Sequence, residues 1–456
     1  MIAELAEAAG PDALLTDPAD CWPYGYDNSR RQGLPQAVVF ARDHDQVAAV
    51  VRLCHERNLA LISRGTGTGT TGATVPLDGG VVLSFERMNR ILEVDPANRL
   101  ARVEPGVRNR DLQDAAAVHG LFWPPDPTSA AICTVGGNLA YNSAGPRAVK
   151  YGTARENTLG LRAVTGTGAS MRTGTLTTKG VVGYDLTRLL VGSEGTLAVI
   201  TEAVLKLTPL PEAIRTLQAT YRDLRAAAEA VSAIMAQPLL PCALEFMDAT
   251  AVDILRRQAG LPLPPDCRAL LMIEVDGPRE ALEQSAGRVA EAAAVDGLIA
   301  VTTAHTPGEA QELWETRKAL SPALRRIAPK KINEDVAVPV SRIPELVDGL
   351  DALSRRHAIT IVNFGHAGNG NIHVNLLVDP GDPRQMDAAA RCLDETFELV
   401  LRLGGTLSGE HGVGLEKRDY VAREIDPVAL GLMHAIKDQF DPKGILNPGK
   451  CLPRPC

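Results

Sequence analysis

Residues 63–76, SRGTGTGTTGATVP, place four glycines and five threonines in one short stretch. The stretch follows a strand–helix–strand pattern. An apolar run at 37–41 (AVVFA) is followed by a helical repeat at 44–57, with Val47, Val50, Val51 and Cys54 on one face, and by a second strand at 59–63. Glycines at alternate positions permit positive φ and let backbone N–H groups approach an anion closely, while the hydroxyls add donors. The stretch therefore reads as a phosphate cradle. It is neither a GxGxxG turn opening a helix nor a Walker loop, because no GK[ST] follows.

Two more unusual loops come after it, PPDPTS at 124–129 and TVGGNLAYNSAGPRAVKYG at 134–152, the latter rich in glycine and asparagine. Residues 159–165 and 169–173 read as a hairpin, and a glycine-bounded acid, Glu194, precedes a long strand that ends at Pro209. At 456 residues the chain exceeds the length at which single cores usually stop growing, and two domains are expected. The break falls after Pro209, and the second domain runs from about 210 to 426. Strands and helices alternate through the second domain. An antiparallel sheet layered with helices accommodates that pattern as well as a doubly wound fold does.

The chemistry of the second domain concentrates in FGHAGNGNIHVN at 364–375. His366 sits in a glycine-broken loop that can fold back, and His373 and Asn375, two apart in an apolar alternation, share one strand face. Two converging imidazoles are most of a metal site, whose missing ligand is normally a carboxylate or thiolate. GGTLSGEHGVG further on supplies adjacent Glu410 and His411 between glycines. Neighbouring extended residues point opposite ways, so Glu410 is assigned as third ligand and His411 as a proton acceptor near neutral pH.

Net charge is -8, with no basic runs, which argues against a nucleic-acid partner. The eight cysteines show no zinc-ribbon or CxxC spacing and read as reduced thiols. No Lys or Arg precedes Arg30, and no apolar run approaches a membrane span. A cytoplasmic location is expected, peripheral to a membrane only through an electron acceptor.

Taken together, RGTGTGTTG, TVGGNLAYNSAG, GSEGTLAVITE and FDPKGILNPGK resemble, in order and spacing, the FAD domain of the vanillyl-alcohol-oxidase-like flavoproteins. FGHAGNGNIHVN and SGEHGVG resemble the branch that oxidises D-2-hydroxy acids: D-lactate dehydrogenase, D-2-hydroxyglutarate dehydrogenase and the catalytic subunit of glycolate oxidase. The resemblance covers nearly the whole chain. It implies an α+β protein with a two-subdomain FAD-binding domain at 1–209, an α+β cap domain built on an antiparallel sheet at 210–426, and a C-terminal segment, 427–456, returning to the FAD domain.

The resemblance also implies roles. Arg64, Gly65, Thr66, Gly67, Thr68, Gly69, Thr71 and Gly72 would cradle the FAD pyrophosphate. Gly136, Gly137, Asn142, Gly145, Glu194 and Ile200 would line the flavin and ribityl chain, and Asn447 would return to the FAD domain. Members with covalent flavin carry a His in the first loop, whereas RGTG here implies non-covalent FAD. In the helix ELWETRKALS, Arg317 matches the arginine that grips the substrate carboxylate, with Ser321 one turn on and Asn375 completing the substrate set. A Zn2+ or Mn2+ ion on His366, His373 and Glu410 would assist oxidation of a 2-hydroxy acid to the 2-oxo acid, with His411 as base. Asn333 stands where D-2-hydroxyglutarate members carry a lysine, which favours D-lactate or glycolate over the dicarboxylate. A quinone, cytochrome or electron-transfer flavoprotein would take the electrons, and any self-association is expected to be a homodimer. The alternatives of another class are a flavin-dependent transferase and a non-catalytic subunit of a flavin complex.

Overall fold

The computed structural model describes residues 1–259, 263–324 and 326–454, without the side chains of 11, 258, 259, 318, 321 and 322. The chain forms two compact units: Met1–Gly145, Gly152–Leu210 and Glu410–Cys456 make the first, and Pro146–Tyr151 and Pro211–Gly409 the second.

In the first unit, β1 (Leu14–Leu15), β2 (Ala37–Phe40), β3 (Leu61–Arg64) and β4 (Val81–Ser84) form a sheet in the order β1-β2-β4-β3. β2, β4 and β3 run parallel, and β1 pairs antiparallel with β2. The helix His44–Arg57 makes the crossover between β2 and β3. Asp43 caps its start through Gln46 N–H, and Asn58 ends it in the left-handed conformation. Its inward face buries Val47, Val50, Val51 and Cys54, as the helical spacing predicts, and leaves the cradle to begin at the end of β3.

A second sheet of this unit contains β5 (Ile91–Asp95) and β6 (Leu100–Val103). β7 (Leu121–Phe122) lies outside it, and β8 (Thr158–Thr165), β9 (Ser170–Gly174) and β10 (Ala198–Lys206) complete it in the antiparallel order β5-β6-β10-β8-β9. The expected hairpin is β8–β9. From Val199 onward β10 alternates buried and half-buried residues, the period-two signature of a strand with one face in a core. β11 (Thr208–Pro209) pairs with β7 before the chain leaves the unit.

The second unit is built on one antiparallel sheet of β12 (Ala213–Tyr221), β13 (Ala243–Met247), β14 (Ala269–Gly277), β15 (Leu298–Thr303), β16 (Lys330–Ala337), β17 (Thr360–His366) and β18 (Asn371–Val378). Their order is β15-β12-β14-β13-β17-β18-β16. Helices Ala249–Ala259 and Pro307–Leu324 close a core over Met247, Met272, Val362 and Phe364 on one face. This is the helix-layered antiparallel sheet of the expected cap.

Two boundaries differ from the sequence reading. Residues 146–151 belong to the second unit, held there by Lys150, whose ammonium meets the Asp276 carboxylate, and by Tyr151, whose hydroxyl donates to Asp276 at 2.6 Å. The return to the first unit comes at Gly409–Glu410 instead of after Asp426. The reason is local. Val413 and Gly414 N–H groups bond the Glu194 carboxylate at 2.6 and 2.7 Å, and Leu415 N–H bonds Thr71 C=O at 2.7 Å. Among the described residues no helix is long and apolar enough to cross a membrane, and Cys21, Cys54, Cys133, Cys242, Cys267, Cys392 and Cys451 are free thiols.

Candidate functional site

In the first unit a cavity opens where β3 meets the cradle. Arg64, Gly65, Gly136, Gly137, Glu194 and Ile200 of the expected cofactor set line it, together with Pro105, Tyr141, Ser193 and Gly195. The helix Val135–Tyr141 presents Gly136 and Gly137 because Thr134 caps its start, accepting the Gly137 N–H at 3.3 Å. A Cβ at Gly137 would meet nothing nearer than Thr134 Oγ1 at 3.4 Å, so its missing side chain is space left for a ligand. A Cβ at Gly65 would run into Thr134 Oγ1, and Gly67 holds φ +71, which an L side chain adopts poorly. An anionic, planar cofactor fits this glycine-walled cavity.

The remaining residues of the expected cofactor set, and the Arg64 side chain, are held by contacts within the first unit. The Arg64 guanidinium packs under Gly67 and donates to the carbonyls of Tyr26 at 2.8 Å and Pro23 at 3.3 Å. Thr66 donates to Ile132 C=O at 3.1 Å and Thr68 C=O accepts from Asn28 at 3.2 Å. Gly69 lies against the Tyr141 ring, and a Cβ at Gly72 would press on Leu415 at 2.9 Å. Asn142 caps the Val135–Tyr141 helix at φ +54 and accepts from Thr153 Oγ1 and Arg155 N–H, both at 2.8 Å. Gly145 donates its N–H to Glu410 Oε2 at 2.8 Å. Asn447 donates to Glu194 C=O at 2.7 Å and accepts from Lys450 at 2.7 Å.

Glu194 is the least expected of these. Its backbone lies at φ +52, and its carboxylate is occupied by Val413 and Gly414 N–H. The loop that carries Glu410 and His411 is therefore braced on the cavity wall. Gly412 and Gly414 are needed there: a Cβ at Gly412 would meet Glu194 Oε1 at 2.8 Å, and one at Gly414 would strike Thr71 C=O. Burial pushes the Glu194 carboxyl up to about 7, against those two N–H bonds and the nearby Lys417 and Lys450. Burial likewise lowers Lys450 to about 7.

In the second unit the β17–β18 hairpin brings His366 and His373 together, ring centroids 5.3 Å apart and nearly perpendicular. Two residues that the sequence reading passed over join them. Asp335 lies directly opposite His373 in the β16–β18 register, its Oδ1 3.5 Å from Nδ1, and it accepts from Asn371 at 2.6 Å. Glu245 lies opposite His366 in the β13–β17 register; one oxygen meets His366 Nδ1 and the other accepts from Arg317 Nε at 3.0 Å. Burial would raise the Glu245 carboxyl, but His366 and Arg317 beside it hold it down to about 2. The Arg317 guanidinium also lies 4.6 Å above the Phe364 ring centroid.

Asn375 is fully buried beside this group, donating to Val362 and His373 carbonyls at 3.0 Å, and Asn333 stands opposite it. The Ser321 side chain lies outside the described residues. Ser408 donates to Asp335 at 3.4 Å and Gly409 N–H bonds Asp335 C=O at 3.1 Å, immediately before Glu410. A Cβ at Gly409 would collide with the Asn371 amide, which accounts for the glycine. Imidazole and carboxylate donors without thiolate suit Zn2+ or Mn2+. A charged residue inside the apolar run PCALEFM was the signal available for Glu245.

The fold and the glycine-walled cavity define an FAD-binding flavoprotein of the vanillyl-alcohol-oxidase type. Residues 35–174 match the family model "FAD binding domain" and residues 210–451 match "FAD linked oxidases, C-terminal domain". The chain is 40% identical to the glycolate oxidase subunit GlcD of Bacillus subtilis (98% of this chain, 95% of that one). It is 35% identical to a D-lactate dehydrogenase of Anaerostipes hadrus (91% and 89%) and 32% identical to a D-2-hydroxyglutarate dehydrogenase of Stutzerimonas stutzeri (99% and 98%). The structure of p-cresol methylhydroxylase superimposes with a TM-score of 0.80 at 18% identity, over 99% of this chain and 96% of that one, a likeness of fold. The chain belongs to the FAD-dependent D-2-hydroxy acid dehydrogenase family of FAD-linked oxidases, and is an FAD-dependent oxidoreductase.

Proposed function

We propose that the protein oxidises a small D-2-hydroxy acid, D-lactate or glycolate, to its 2-oxo acid. The observation that carries the reading is the pair of buried imidazoles, His366 and His373, with the half-buried Arg317 of the helix Pro307–Leu324 beside them through Glu245, two imidazoles near a carboxylate-binding cation. Arg317 binds the substrate carboxylate through its planar fork. Asn375 contributes its carboxamide to the same substrate. His366 and His373, with Glu410 as the next residue after the Asp335-bound Gly409, make a donor set for Zn2+ or Mn2+. His411 takes the 2-hydroxyl proton on an imidazole nitrogen. When bound, FAD supplies the two-electron acceptor and the metal a Lewis acid.

The preference for a monocarboxylate is supported by Asn333 facing Asn375, two neutral amides where a distal carboxylate would need a counter-charge. D-2-hydroxyglutarate is the alternative substrate that this pairing disfavours. The electrons then pass to a quinone, a cytochrome or an electron-transfer flavoprotein, and any self-association would be a homodimer. The test is the product formed in the presence of an artificial electron acceptor. Stoichiometric pyruvate from D-lactate and none from L-lactate, or glyoxylate from glycolate, supports the assignment. No 2-oxo acid from any of D-lactate, glycolate and D-2-hydroxyglutarate overturns it.

A further inference from the structure

We infer that Glu245 is a positioning residue shared by the substrate anchor and the metal-ligand set, so that one buried carboxylate sets both substrate affinity and metal affinity. The inference rests on the proposed roles of Arg317 and His366. Glu245 is 1% exposed, in the middle of β13, with Phe246 and Met247 following it and Met272 opposite on β14. A carboxylate in such a strand is costly unless both oxygens are engaged. Here they are divided, Oε1 to His366 Nδ1 and Oε2 to Arg317 Nε.

Each half of that division has a consequence. An ionised carboxylate can only accept, so the imidazole proton of His366 stays on Nδ1 and Nε2 is the nitrogen that turns to a metal. A carboxylate behind a ligating histidine fixes its tautomer and ring orientation and raises its basicity. On the other side, the Nε bond and the Phe364 ring face hold the guanidinium plane in one orientation before any substrate arrives. The strand register puts Glu245 opposite His366, so a single side chain carries both bonds.

Glu245→Gln separates the two roles from simple folding. The amide has one acceptor oxygen for two donors, and its NH2 opposes whichever donor remains. The variant should keep a full flavin spectrum. Its affinity for Zn2+, titrated against a competing chelator in the absence of substrate, should fall about 10–100-fold. Its KM for D-lactate or glycolate at saturating metal should rise about tenfold, more than kcat falls. Arg317→Lys should move KM alone, and His366→Gln metal affinity alone. Glu245→Asp, which keeps the charge but not the reach, should lose both affinities together to a smaller degree, and serves if the glutamine variant does not fold. A Glu245 variant that changes only one of the two affinities, or neither, overturns the shared role. A wild-type protein that binds neither Zn2+ nor Mn2+ overturns the metal reading of the site, and this inference with it.

Discussion

Glu194→Gln tests whether the loop bearing Glu410 and His411 is held in place by the cavity wall. Its carboxylate accepts Val413 N–H at 2.6 Å and Gly414 N–H at 2.7 Å, two bonds to a charged acceptor. Such bonds contribute about 1.5–3 kcal/mol each. Glutamine keeps one acceptor and turns an NH2 donor towards the other N–H, so the loop loses about 2 kcal/mol of bracing, roughly a 30-fold change in an equilibrium or a rate. The backbone contacts of residue 194, from its N–H to Ala140 C=O at 2.9 Å and from Asn447 to its C=O at 2.7 Å, are untouched, and FAD should stay bound. Anaerobic flavin reduction by D-lactate or glycolate at pH 8 should slow about 10–100-fold, while reduction by dithionite keeps its rate. The effect has a pH sign. Burial pushes the Glu194 carboxyl up to about 7, so below pH 6 the wild type itself carries a proton there, and the ratio of wild-type to variant rates should shrink. A variant reduced by substrate at the wild-type rate above pH 7 would refute the bracing argument.

Other consequences can be checked with single variants. Gly137→Leu adds a side chain whose Cβ meets only Thr134 Oγ1, at 3.4 Å, and whose remainder extends into the cavity, so it should fold with unchanged circular dichroism yet purify colourless; stoichiometric FAD would contradict the cavity assignment. His373→Ala should stay yellow, lose bound metal and lose more than about a hundredfold in turnover; loss of flavin instead would mean that His373 belongs to the cofactor site. Asp248, buried and bonded by Ala251 N–H and Asn363, has its carboxyl raised to about 7 by that burial. Its folded value lies above its unfolded one, so its stabilising contribution is present at low pH and is lost as pH rises through 7. The melting temperature of the wild type should therefore fall relative to Asp248→Asn between pH 5 and pH 8, and a constant difference would count against the shift.

How much could be read from the residues alone depended on how local each feature is. The glycine- and threonine-rich loop after β3 and the β8–β9 hairpin were legible because glycine, threonine and apolar periodicity act over a few residues. So was the shared strand face of His373 and Asn375. Asp335 opposite His373 was not, since β16 and β18 are separated by a helix and a strand, and antiparallel register across such a gap is set by tertiary packing. Glu245 was hidden for the same reason: its partners are a histidine on β17 and an arginine on the helix Pro307–Leu324. Glu194 was recognised as a cavity residue, but the direction of its carboxylate, towards Val413 and Gly414, follows from a backbone at φ +52 that one glycine-flanked acid does not announce. The inclusion of 146–151 in the second unit depends on Asp276, a contact from the far end of β14.

The most direct measurement is the visible spectrum of the purified protein under anaerobic conditions as D-lactate, L-lactate, glycolate and D-2-hydroxyglutarate are added in turn, with and without EDTA. Bleaching of the flavin by D-lactate or glycolate, absent with L-lactate, weak with D-2-hydroxyglutarate and abolished by chelator, is the predicted result. A flavin-loaded protein that none of the four bleaches would contradict the dehydrogenase assignment, and bleaching that EDTA leaves intact would remove the metal from it.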